Sequence, residues 1–101
     1  MPEVQHPPQV LSLSVDMLKP NPNHRRRHKP NQIRRMAEGI ETFGFLAPVV
    51  VDEMGTILLG HRRVLAAKRL GMVQVPAVFA SQLTLVQRIA FLIAERDERL
   101  P

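Results

Sequence analysis

Ile57-Leu58-Leu59-Gly60-His61-Arg62-Arg63-Val64-Leu65-Ala66-Ala67-Lys68-Arg69-Leu70-Gly71 passes from a strand pattern to a helix pattern across one glycine. The apolar run before Gly60 reads as a strand. Beyond it Val64, Ala67 and Leu70 recur at helical spacing, Ala66 sits beside them, and Gly71 ends the segment. A helix start leaves backbone N–H groups without intrahelical acceptors and carries partial positive charge, which favours an anion there. Arg62 and Arg63 add two full charges at that point, so a phosphate is the natural guest. His61 suits a phosphate ligand, a general base or a hydrogen-bonding residue at the helix start.

Upstream, Pro48-Val49-Val50-Val51-Asp52 is β-branched and continuous, the pattern of a buried strand. Asp52-Glu53-Met54-Gly55 has turn chemistry, which folds residues 56–59 back as the second arm of a hairpin. Before it, Pro30 suits the first turn of a helix, and Ile33, Met36, Ala37 and Ile40 mark one buried face. That helix should stop near Phe43 with Gly44 as its cap. Residues 10–15 read as a short strand, residues 16–18 as a turn and residues 19–23 as a proline-punctuated loop. Downstream, residues 75–80 resume strand character, and Pro76 predicts a strand start or an edge strand. Thr84 caps a last helix in which Leu85, Ile89, Leu92 and Ile93 recur at helical spacing. The sum is an α/β (α+β) chain, a small mixed sheet with about three packed helices. Residues 1–9, with three prolines, are expected to form a flexible tail, and residues 10–101 one domain.

Composition narrows the chemistry. The chain of 101 residues is 45% apolar with interspersed charge, which fits a globular domain. Its four aromatic residues are all Phe, and the lack of Trp and Tyr weakens a model in which single-stranded bases stack on the protein. The absence of cysteine removes thiol catalysis, disulfides and cysteine-type zinc sites. A formal charge of +5 favours polyanionic partners. No signal-like apolar core opens the chain and no apolar run reaches ~18 residues, so a soluble cytoplasmic protein without a membrane partner is expected.

Half of the fourteen Lys and Arg residues fall within residues 19–35, a window without one carboxylate. Arg25, Arg26, Arg27, Lys29, Arg34 and Arg35 in it are candidates for contact with nucleic-acid phosphates, the alternative being a solvated loop. Such contacts position a duplex without reading its bases. His24 and His28 stand four apart, but the arginines around them oppose a metal cation. Glu95-Arg96-Asp97-Glu98-Arg99 reads as a salt-bridged solvated face; alternatively Glu95 or Asp97 could hold a Mg²⁺ that accompanies nucleotide phosphates.

Gly60-His61-Arg62-Arg63-Val64-Leu65-Ala66 resembles the G-E-R-R-x-R-A box of the ParB N-terminal domain, within the ParB/sulfiredoxin superfamily. Leu18-Lys19-Pro20-Asn21-Pro22 is similar to the family's opening L-x-P-N-P, and Arg26 falls where its next arginine sits. Residues 36–51 resemble its helix, glycine and P-[IV]-x-V strand, and residues 75–78 its later V-P-x-x strand. The G-H-x-R variant and Leu83-Thr84-Leu85-Val86-Gln87-Arg88 look most like ParB-like domains of phage, plasmid and DNA-methylase-associated proteins. The resemblance implies that Gly60, His61, Arg62 and Arg63 hold the phosphates of CTP or another nucleotide with Mg²⁺, while Gly44, Phe45 and Pro48 border the nucleoside.

The chain departs from that pattern at three places. His61 stands for the family's Glu, Leu65 replaces its third arginine, and residues 94–99 match its E-N-x-Q-R box poorly. Sulfiredoxin has Cys where this chain has His61, so sulfinic-acid reduction is excluded. The implied function is a phosphate-binding module for nucleotide or nucleic acid in DNA partition or DNA modification. A Mg²⁺-dependent NTPase (a CTPase among them) or ParB-like nuclease, and a domain that only docks on DNA, are the alternatives. The expected partners are DNA or a nucleotide, with a homodimer or the C-terminal domain of a longer chain beside them, since partition proteins continue into a helix-turn-helix.

Overall fold

The structure is a computed structural model that describes residues 8–22 and 28–96, with side chains as far as residue 93. Apart from residues 8 and 9, the tail expected over residues 1–9 lies outside the described residues. The elements run β1 (Leu11–Ser14), a 3-10 turn (Val15–Met17), α1 (Pro30–Phe43), β2 (Val49–Val51), β3 (Ile57–Leu59), α2 (His61–Arg69), β4 (Gln74–Phe79), a second 3-10 turn (Ala80–Gln82) and α3 (Leu85–Arg96).

The four strands form one mixed sheet in the order β1-β4-β2-β3. β2 and β4 are parallel, whereas β1 pairs with β4, and β3 with β2, in antiparallel fashion. Helices cover both faces, which explains the continuous apolar run of β2. Val49 and Val51 point to one side with Val75 and Ala77, where Val64 and Ala67 of α2 close the core together with Val15, Leu18 and Ile57. Val50 points to the other side with Val78 and Leu83, against which Phe91 of α3 packs. Successive β2 residues serve opposite faces, as the two-residue strand period requires. α1 lies against α2.

Local chemistry sets the boundaries. Pro30 opens α1, and the Gly44 N–H closes it on the Ile40 carbonyl at 2.8 Å. The Asp52 carboxylate accepts the N–H groups of Met54 and Thr56, each at 2.9 Å, and so fixes the β2–β3 turn. Thr84 and Gln87 form a reciprocal cap: Gln87 N–H donates to Thr84 Oγ1 at 3.1 Å, and Thr84 N–H to Gln87 Oε1 at 2.8 Å.

One expectation needs correcting. The strand that carries Pro76 is an interior one, flanked by β1 and β2. Val15 N–H bonds the Val73 carbonyl at 2.9 Å, so by alternation Ser12↔Pro76 is a pair that exchanges no hydrogen bonds. On the other side β2 joins only from Val49↔Ala77 onward. The missing proline N–H therefore falls outside both ladders. α3 forms with the expected helical period; Leu85 (73%), Ile89 (48%), Leu92 (47%) and Ile93 (66%) lie on its exposed side, and Phe91 makes the packing contact with the sheet.

Candidate phosphate site at the start of helix α2

Gly60 links β3 to α2 in the left-handed region, with φ 101° and ψ 23°. A Cβ built there would lie 2.7 Å from Val49 Cγ1 and 2.9 Å from Arg63 Nη2. Glycine is thus required twice, by its backbone angle and by the closeness of β2. The first intrahelical bond runs from Val64 N–H to the Gly60 carbonyl at 3.0 Å. No carboxylate occupies the first turn, so the positive end of the helix and its arginines stand together.

Each of the three side chains that follow Gly60 is placed differently. Arg62 reaches the cleft described below. Arg63 is half-buried, and its Nη2 donates to the Pro48 carbonyl at 3.3 Å, which holds the guanidinium across the entry to β2. His61 Nε2 accepts the Asn21 N–H at 3.4 Å. Asn21 is brought there by Lys19, whose N–H bonds the Gly55 carbonyl at 2.9 Å and whose carbonyl accepts from Ile57 N–H at 2.8 Å. The Lys-Pro-Asn-Pro loop is therefore strapped to β3, beside the helix start.

A cleft of about 260 Å³ opens between α1, residues 44–47 and the first turn of α2. Gln32, Arg35, Arg62 and Arg63 give it polar, cationic walls. Met36, Gly39, Ile40 and Phe43 of α1, with residues 44–47, supply apolar walls. Among the described residues no carboxylate lines it. Such a volume lies just under the ~300–1,000 Å³ of small-molecule sites.

Of the residues expected at the site, Arg62, Arg63, Gly44 and Phe45 meet at this cleft. Gly60, His61 and Pro48 do not line it: Gly60 makes the turn into α2, His61 contacts the Asn21 N–H, and the Pro48 carbonyl holds Arg63. Arg35, expected among the nucleic-acid contacts, lines the cleft. The missed signal was a second stripe on α1, in which Gln32, Arg35, Gly39 and Phe43 recur every three or four residues. Lys29 is exposed, and exposed Arg34 stands 4.0 Å from Glu38 one turn on. Arg25, Arg26 and Arg27 lie outside the described residues, as do Asp97 and the side chain of Glu95. Among the described residues no three His, Asp or Glu side chains gather as a metal site, and no helix is long and apolar enough to cross a membrane.

The family described as the ParB N-terminal domain matches residues 2–95. The chain belongs to that family. The ParB-like nuclease domain-containing protein YnaK of Escherichia coli (strain K12) is 41% identical to it over 75 residues, 74% of this chain and 86% of that protein. The chromosome-partitioning protein ParB from Caulobacter crescentus, C-terminally truncated and complexed with CTP-γ-S, shares the fold with a TM-score of 0.68 and 26% identity. That match covers 92% of this ParB-like domain but 55% of the Caulobacter chain, so the domain spans about half of the solved partition protein. Sulfiredoxin from Arabidopsis thaliana superposes with a TM-score of 0.65 over 84% of this chain and 98% of its own, at 17% identity, a likeness of fold alone.

Proposed function

We propose that the cleft between α1 and α2 binds a nucleotide, phosphates toward Arg35, Arg62 and Arg63 and the nucleoside toward the apolar walls. In this reading the ParB-like domain is a nucleotide-binding module serving DNA partition or DNA modification. One observation carries it: three arginines, two of them on the first turn of α2, share a single concavity with apolar walls. A bare anion site needs no apolar walls, and a surface that tracks a duplex backbone needs no concavity. A nucleotide has both parts. The CTP-γ-S complex of the Caulobacter relative supports the same ligand class. Gly60 and Pro48 act on the ligand through Arg63. Mg²⁺ is expected to travel with the triphosphate, which supplies the oxygen ligands that this cation prefers.

Calorimetric titration with CTP, ATP, GTP and UTP in Mg²⁺ tests the proposal, with Arg62→Ala as the comparison. A charge-assisted hydrogen bond to phosphate contributes about 1.5–3 kcal/mol, so losing Arg62 should weaken binding roughly 10- to 100-fold. Saturable one-site binding that Arg62→Ala abolishes or weakens on that scale is the expected outcome. Heats that are absent with every nucleotide, or identical in the variant, overturn it.

A further inference from the structure

Gly39 stands inside α1, ten residues into a helix of fourteen, where glycine is a poor choice. A glycine in mid-helix is commonly explained by a neighbour packed too close for a Cβ, or by a backbone angle that other residues avoid. Neither applies. A Cβ built on Gly39 meets no heavy atom of the described residues within 4 Å, and Gly39 is not among the residues with positive φ. Among the described residues nothing gives a reason to withhold a methyl group. The position does line the cleft, between Met36, Ile40 and Phe43.

We propose that Gly39 seats the ring of the nucleotide: its missing Cβ leaves a bare patch of α1 backbone against which the flat ring lies. This rests on the nucleotide reading above and adds to it the place where the ring is seated. Met36, Ile40 and Phe43 flank the patch and exclude water from the edges of the ring. A planar heterocycle resting on backbone gains contact across its whole face, which a methyl group would hold off by more than an ångström. The helix gives up some stability so that the ring can approach.

Gly39→Ala separates ring from phosphate. The variant should be the more stable protein, its urea midpoint raised by about 0.3–0.5 M. Its affinity for CTP and ATP in Mg²⁺ should fall at least about tenfold, the scale of one methyl forced into a filled contact. Inorganic tripolyphosphate has no ring and should bind wild type and variant within about twofold. Unchanged CTP and ATP affinity in Gly39→Ala overturns the inference, and so does an equal loss for tripolyphosphate. A lowered urea midpoint also overturns it, because the glycine would then serve the fold. Wild-type protein that binds neither nucleotide nor tripolyphosphate overturns the nucleotide reading and this inference together; wild type that binds while Gly39→Ala binds equally well overturns this inference alone.

Discussion

Gly60→Ala places a methyl group where the structure has no room for it. Holding an alanine at φ 101° costs roughly 1–2 kcal/mol by comparison with left-handed backbone in other L-residues. The added Cβ also meets Val49 Cγ1 at 2.7 Å, and Val49 is fully buried between β3 and β4, so it has nowhere to retreat. Overpacking of that kind costs about 1–3 kcal/mol. The Arg63 contact at 2.9 Å is cheaper to relieve, because a guanidinium at the end of a flexible chain can swing. The total, roughly 2–5 kcal/mol, is a large share of the ~5–15 kcal/mol available to a small domain. In urea the midpoint should fall by at least about 1 M. Gly71→Ala supplies the control: its φ is 73°, yet a Cβ there meets nothing within 4 Å, so only the backbone term of roughly 1–2 kcal/mol applies. A loss in Gly60→Ala no greater than in Gly71→Ala would refute the claim that the turn is pressed onto β2.

Thr84→Ala removes the acceptor for Gln87 N–H and should cost about 1 kcal/mol, seen as faster amide exchange in the first turn of α3. Phe91→Ala should lower stability by about 2 kcal/mol, because its ring covers Val50, Val78 and Leu83; Ile89→Ala, on the exposed side, should stay within about 0.5 kcal/mol in the same urea titration. Asp52→Ala strips two acceptors from the β2–β3 turn and should cost about 1–2 kcal/mol, an effect that Asp52→Asn should largely spare because its amide oxygen still accepts.

Where local chemistry decides an element, the sequence carries it. Pro30 and Gly44 bracket α1, Thr84 opens α3, and the Asp52 turn closes the hairpin, each through a bond within five residues. Long-range geometry is harder to read. Pro76 points to an edge strand only if its N–H would be needed, and that depends on the alternation with β1 and on where β2 begins. Helical spacing in Leu85, Ile89 and Ile93 shows an amphipathic helix but not which residue of it meets the sheet, and Phe91 takes that part. At the site, Arg62 and Arg63 are evident from the glycine before them. The clasp of Arg63 on the Pro48 carbonyl is not, since it joins residues fifteen apart through a backbone atom that every residue possesses. Arg35 was hidden in a run of like charges, and only the direction of α1 separates it from Arg34.

Nucleotide binding in the cleft between α1 and α2 is open to a direct measurement, the backbone amide chemical shifts recorded while CTP or ATP is added in Mg²⁺. The largest changes should fall on residues 61–64, at the start of α2, and on residues 39–47, along the cleft, with β1 and α3 little moved. Changes centred on Lys29 and Arg34, or on the exposed face of α3, with the first turn of α2 unmoved, would contradict it.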